Sequence, residues 1–225
     1  MMIFLLAAAM LWVGVHVGIA GTVVRTRIAA RLGEVPFRIG YSLLSVVSIV
    51  LLVMAWQTAP FVPLWSVGDG FRWFAVFLML PTLLLFVASV ATPNPTAVEG
   101  KLDAGGPVGI QRITRHPMLW SFALWAGLHL VAKGNLAGVL FFGAFLVTAL
   151  VGMPSIDRKL AERQPDMWAR LAPTTSILPF GAILAGRNRL VLAEIPRLVW
   201  IIGGVAWVAL LVAHPWLFGY PALPA

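Results

Sequence analysis

Cysteine is absent from the 225 residues, and charged side chains are scarce, at 11%. The first absence excludes disulfides, thiolate metal sites, cysteine nucleophiles and cysteine-ligated haem. The second excludes a water-soluble globule, because an ordinary soluble domain carries about 25% charged and about 45–50% apolar residues. Here 60% of the residues are hydrophobic, and mean hydropathy is +0.94. Too little polar side chain remains to cover a soluble surface. The chain reads as a polytopic membrane protein. Acids are scarcer still, eight against sixteen Lys and Arg, for a formal net charge of +8. In a soluble chain that balance would point to nucleic acid. Here the charges flank membrane segments without a recognition fold, so no nucleic-acid partner is expected.

A helix crossing the roughly 30 Å hydrocarbon core needs about 20 largely apolar residues. Six segments qualify, near 2–22, 39–58, 72–92, 117–133, 136–153 and 196–214. No positive region precedes the first, since Arg25 is the first charge, so it reads as a retained span and not a signal peptide. Only Lys133-Gly134-Asn135 separates the fourth from the fifth, a tight helical hairpin with turn chemistry in its Gly-Asn pair. The expected fold is all-α: one domain over 1–225, a membrane helix bundle of about six spans.

The basic residues sort by loop. Arg25, Arg27, Arg31 and Arg38 follow the first span, and Lys101, Arg112 and Arg115 follow the third. Arg158, Lys159, Arg163, Arg170, Arg187, Arg189 and Arg197 follow the fifth; only Arg72 and Lys133 fall on the other side. The positive-inside rule then puts both termini outside and the three basic loops in the cytoplasm, where anionic lipid head groups are natural contacts. The loop over 93–115 is rich in Pro and Gly. In the loop after the fifth span, Ser155 to Ala172 reads as a short amphipathic helix lying at the interface, with Ile156, Leu160, Met167 and Leu171 on its apolar side. Ile177-Leu178-Pro179-Phe180 reads as a second membrane-surface contact.

Ionisable groups inside a span default to functional hypotheses. The acids offer none: Glu34, Asp69, Glu99, Asp103, Asp157, Glu162, Asp166 and Glu194 all fall in expected loops. That counts against a proton pump or cation transporter. The four histidines differ, each lying in or at the edge of a span. His16 stands among Gly14 and Gly18, roughly 9 Å from the cytoplasmic end of its span, and His129 follows Gly127, roughly 18 Å from that end of its own. Two imidazoles at such depths suit a low-spin haem iron, with the glycines letting a flat macrocycle approach the backbone. Hydrogen bonds to neighbouring helices would satisfy either histidine equally well. His214 ends the last span. Arg115 and His116, ahead of Pro117 at a helix start, are placed to meet an anion: a haem propionate, a lipid phosphate or a cofactor carboxylate. Trp120 and Trp125 lie deep in the fourth span, either packing or lining a pocket for a flat or polyene ligand.

The chain resembles the NnrU family of membrane proteins, whose plant and cyanobacterial relatives include carotene isomerases. The resemblance begins with His16-Val17-Gly18-Ile19-Ala20, Gly33-Glu34-Val35-Pro36-Phe37-Arg38 and Tyr41-Ser42-Leu43. Its most specific stretch runs from Gly109-Ile110-Gln111-Arg112-Ile113-Thr114-Arg115-His116-Pro117 to His129 and Gly134-Asn135. It resumes at Asp157-Arg158-Lys159-Leu160, Thr175-Ser176-Ile177-Leu178-Pro179-Phe180 and Gly186-Arg187, and ends with Ala213-His214-Pro215. The resemblance implies a haem b protein with iron ligated by His16 and His129, and His214 as a rival ligand. It also implies redox-dependent cis–trans isomerisation of a lipophilic polyene of the 15-cis-zeta-carotene type. Arg115 and His116 join the implied cofactor-binding set. Bacterial members accompany nitric oxide metabolism and denitrification, which implies the bacterial inner (cytoplasmic) membrane. Plant members place a cysteine three residues before the second histidine; here Ala126 stands there, which rules out a Cys-for-His ligand exchange.

Arg115-His116-Pro117 also resembles small membrane methyltransferases that bind S-adenosylmethionine, with Asp157, Leu160 and Pro179 roughly in register. Their paired glutamates are lacking, and Leu119 replaces their tyrosine. A haem-linked protein without isomerase activity is the remaining alternative.

Overall fold

The computed structural model describes residues 1–97 and 100–224; Glu99, one of the acids expected in loops, lies outside them. Its α-helices run in chain order α1 Met2–Val13, α2 Val23–Leu32, α3 Glu34–Gln57, α4 Asp69–Ala91, α5 Ile110–Ile113, α6 Pro117–Lys133, α7 Leu136–Arg163, α8 Pro165–Leu171, α9 Gly181–Leu184 and α10 Arg197–Phe218. A π-helical turn over Gly14–Ile19 extends α1. Among the described residues there is no strand, only a lone antiparallel bridge between Pro63 and Asn135.

Among the described residues five helices are long and apolar enough to cross a membrane: Met2–Ile19, α3, α4, α7 and α10. The helix at the expected fourth span, α6, has 17 residues, about 25 Å at 1.5 Å per residue, just short of the hydrocarbon thickness. Much apolar surface stays exposed along these helices; in α3 and α10 only 11% of the apolar window is buried. Lipid is the solvent for such a face.

With no water in that solvent, polar groups inside a span must be satisfied internally. The hydroxyls of Thr82, Ser89, Ser121 and Thr148 each donate to a carbonyl three or four residues back, at 2.6–2.8 Å. Pro81, Pro154 and Pro215 interrupt the ladders of α4, α7 and α10 without ending them.

Two compact units share the chain: residues 1–67 with 126–155, and 68–125 with 156–225. In the first, α1 packs along α3. The first basic loop is helical there: Thr22 caps α2 by accepting from the Val24 N–H at 3.2 Å, and Glu34 pairs with Arg25 and Arg38. The Lys133–Asn135 hairpin is pinned by the segment before α4. Leu64 and Trp65 N–H donate to the Gly134 carbonyl at 2.8 and 3.0 Å, Leu136 N–H to Val62 at 2.9 Å, and Trp65 Nε1 to Val131 at 2.8 Å. Asn135 caps α7 through Gly138 N–H at 2.7 Å.

In the second unit α10 packs against α4. Gly203 makes that approach possible, because a Cβ there would run into Leu84. Trp207 Nε1 donates across the pair to the Val76 carbonyl at 2.9 Å. Leu85, Val87, Ala88, Ile110, Ile195 and Val199 form the core, with Trp120 and Leu124 packed on it.

The separate amphipathic helix expected over Ser155–Ala172 does not form. Residues 155–163 continue α7, and the break falls at Gln164 (φ −137°, ψ 61°). Pro165 forces it there, since a residue before proline is pushed out of the helical region; Pro154 sits inside α7 instead.

Gly134 has φ +56°, and a Cβ would strike the Trp65 carbonyl oxygen. Gly134→Ala is expected to cost about 1–3 kcal/mol, read as a lowered thermal midpoint in detergent. Gly105→Ala, with open space around it, should leave the midpoint within a degree or two.

Candidate functional site

In the second unit the chemistry gathers around one carboxylate. Thr114 is extended (φ −154°, ψ 145°) at the end of α5, and Pro117 opens α6, so Arg115 and His116 lie on a short strap between two helices. Thr114 Oγ1 donates to the Ile177 carbonyl at 2.7 Å and accepts from His116 N–H at 3.2 Å. Arg115 Nε lies 3.0 Å from both oxygens of Asp157, and its Nη2 donates to Oδ2 at 2.6 Å. His116 Nε2 donates to Oδ1 at 2.8 Å. That fixes the imidazole tautomer and leaves Nδ1 buried without a partner among the described residues. Arg115 also lies over the Trp168 ring, 5.3 Å from its centroid.

Asp157 therefore corrects two expectations. It is buried, at 8% exposure, in the last turns of α7 and not in a loop, and the anion that Arg115 and His116 meet is internal. A second forked pair lies nearby in sequence. Arg112 Nε and Nη2 donate to the two Glu194 oxygens at 2.6 and 2.8 Å, and Gly109 N–H adds a third bond at 2.8 Å. The Arg112 guanidinium holds the Glu194 carboxyl below the usual carboxylate range.

His16 and His129 belong to the first unit. His16 occupies the π-helical turn, where Ala20 N–H reaches back five residues to the Val15 carbonyl at 3.2 Å. Its Nδ1–H donates to the Trp12 carbonyl at 2.9 Å, leaving Nε2 as the lone-pair nitrogen. The Trp12 ring lies 3.9 Å from the imidazole and 4.9 Å from Phe145. His129 sits 5.2 Å from the Phe142 ring. Phe141 bridges Phe142 and Phe145 at 5.1 and 5.3 Å. His129 thus borders one aromatic turn of α7 directly and His16 reaches it through Trp12, with Phe142 and Phe145 about 4.5 Å apart along the axis. His214 belongs to the second unit and donates Nδ1–H to the Tyr220 carbonyl at 2.6 Å.

The donor set of the first unit fits a haem. A metal-ligating histidine typically commits its other ring N–H to a carbonyl or carboxylate, as His16 does. Gly14, Gly18 and Gly127 have nothing within 4 Å of where a Cβ would stand, but each is two residues from its histidine, about 200° round the helix, and so opens the face opposite the imidazole, contrary to the expectation from sequence. Trp12 Nε1 is buried without an acceptor among the described residues, a feature that asks for an explanation. No group of three or more His, Asp or Glu converges among the described residues, whereas a haem iron needs at most two such side chains.

The family described as NnrU protein matches residues 4–222. The chain belongs to the NnrU family. This NnrU protein is also similar to the chloroplastic 15-cis-zeta-carotene isomerase of Zea mays, 32% identical over 124 residues, covering 52% of this chain and 32% of the maize protein. To that of Arabidopsis thaliana it is 30% identical over 148 residues, 64% of this chain and 38% of the other. Each match spans only about a third of the relative's length. No solved structure matches it.

Neither the π-turn at His16 nor the ring cluster of α7 was anticipated from the NnrU sequence. Phe141-Phe142 with Phe145 is the signal that was there to find. Removing one partner of a buried ion pair leaves an uncompensated charge, at a cost of about 3–5 kcal/mol. Asp157→Asn should accordingly melt well below wild type in detergent, and Asp157→Glu should recover part of the loss.

Proposed function

We propose that this NnrU protein is an integral-membrane haem b protein that isomerises a cis double bond in a lipophilic polyene, with His16 and His129 as iron ligands. His16 carries the reading: its Nδ1–H is committed to the Trp12 carbonyl, within a π-turn of the kind that recurs at functional sites. The named activity of the maize and Arabidopsis relatives supplies the reaction class. A haem held there supplies a redox-switchable iron able to lower the order of a polyene double bond in contact with it.

The chain's own residues do the rest. His16 and His129 hold and orient, and Trp12, Phe141, Phe142 and Phe145 give an apolar, polarisable surface that excludes water. The sole acid of the first unit, Glu34, is the first residue of α3, so no Asp or Glu lies deep within its spans. Isomerisation needs none, since no proton is gained or lost. Arg115 and His116 belong to the cofactor-binding set only in so far as they fix the start of α6, which carries His129. His214 stands as the alternative ligand. The methyltransferase reading gains nothing from the geometry, because the Arg and His of its signature are both directed at Asp157.

The same reading makes α6 a sixth span of a bacterial inner-membrane bundle, with both termini outside and the basic segments in the cytoplasm.

Two measurements test these statements. Purified protein should show a Soret band, with split α and β bands on dithionite reduction. His16→Ala and His129→Ala should each lose most of the bound haem, while His214→Ala keeps it. Loss on His214→Ala with retention in one of the others moves the ligand to His214. No haem in wild type, even when haem is supplied during expression, removes the proposal, and S-adenosylmethionine and nitric oxide binding are then tested. For topology, the cysteine-free chain is a natural background. Met2→Cys and Ala222→Cys should label with an impermeant maleimide from outside, and Arg31→Cys only after lysis. Opposite accessibility of the two termini means that α6 does not cross.

A further inference from the structure

Residues 176–180 form a rigid strap on the segment before α6. Phe180 N–H donates to the Ile113 carbonyl at 2.7 Å, and Arg115 N–H to Ser176 at 3.1 Å. The Ile177 carbonyl accepts from Thr114 Oγ1 and Trp120 Nε1, both at 2.7 Å. Ser176 Oγ closes the loop on the Leu178 carbonyl and the Ala182 N–H, at 2.7 and 2.9 Å. Phe180 holds a left-handed conformation, φ +62°, which a bulky residue adopts only where its surroundings impose it. The effect is to present apolar side chains outward on a braced frame: Leu178 is 65% exposed, Phe180 44% and Leu184 85%.

Beside the strap opens a cleft of about 440 Å³ lined by Arg115, Thr175, Ser176, Leu178, Gly181 and Arg187. Two guanidinium groups serve it against one carboxylate, Asp157. Arg115 gives Nε and Nη2 to Asp157 and keeps Nη1. Arg187 spends Nη1 on the carbonyls of Pro173 and Thr175, at 2.6 and 3.1 Å, and keeps Nε and Nη2. The cleft therefore offers excess positive charge and uncommitted planar donors, the chemistry that selects phosphate. A soluble anion would gain nothing from Leu178, Phe180 and Leu184, whereas a lipid uses both halves of the site.

We propose that this cleft seats the phosphodiester of an anionic phospholipid headgroup, with the acyl chains lying against Leu178, Phe180 and Leu184. The assignment does not depend on haem or on isomerase activity.

The test is lipid retention by native mass spectrometry of the full chain, from micelles doped with equal phosphatidylglycerol and phosphatidylcholine. Wild type should retain phosphatidylglycerol about fivefold more, the factor that one basic residue near an anionic surface supplies. Arg187→Gln should bring the two lipids near parity, Leu178→Ser should weaken retention of both, and Arg27→Gln, on the first unit, should match wild type. Equal retention by wild type overturns the proposal, as does an equal loss in Arg27→Gln, which would mean general attraction between charges. Release by millimolar inorganic phosphate with Leu178→Ser unaffected makes it a soluble-anion site and also overturns it. Arg187 braces two carbonyls, so if Arg187→Gln lowers the melting temperature, Leu178→Ser decides: its side chain is exposed, and retention equal to wild type overturns the assignment.

Discussion

One buried carboxylate organises the polar chemistry of this protein. Asp157 takes three nitrogens from the Arg115-His116 strap, and a charge so nearly enclosed persists only because they are there. The strap is the N-terminal lead of α6. His116 and His129 lie 13 residues apart on that lead and helix, about 20 Å along the axis, and a slip of one residue would turn His129 by about 100°. His116 has a role in this that asks nothing of its unused Nδ1: it is held, and it holds the start of α6.

The first unit solves the opposite problem. It has two histidines inside apolar helices and no acid to pair with them. His16 is satisfied by its own backbone, one turn back at Trp12, and the π-turn supplies an offset in the helix at that point. An aromatic ring of α7, Phe142, lies beside His129, and another, Phe145, packs on the Trp12 ring that covers His16. The His16 imidazole thus has its Nδ1–H committed to the backbone and lies against the Trp12 ring.

Much of this was legible in the sequence. Each expected span coincides with a helix, to within a few residues except at the end of α7, which runs ten residues further, because about 20 apolar residues in a row permit little else. Even so, α3 begins at Glu34 and not at 39, since Pro36 fits a first helical turn and Glu34 pairs with Arg25 and Arg38. The Lys133-Gly134-Asn135 hairpin read correctly because glycine there meets both a positive φ and a close backbone. What did not read was everything that depends on a partner distant in sequence. Asp157 looked like a loop acid because the fifth span was expected to end near 153, with a separate interfacial helix after it. The helix instead runs on to Arg163 and carries the carboxylate under Arg115 and His116, 42 and 41 residues away. The π-turn did not read either: Gly14, His16 and Gly18 interrupt the apolar run there, but none of them predicts a bond reaching back five residues.

The exposed apolar surface completes the physical account. Along α3 and α10 it faces outward over most of each helix, which hydrocarbon solvates without further design. At Leu178, Phe180 and Leu184 it differs in kind, because backbone hydrogen bonds and a left-handed phenylalanine hold it up beside two arginines. A flexible loop would fold such side chains against the protein and recover their burial. A braced one keeps them out, and keeping them out is favourable only where the neighbouring phase is apolar and the adjoining charge is negative. The membrane interface offers both.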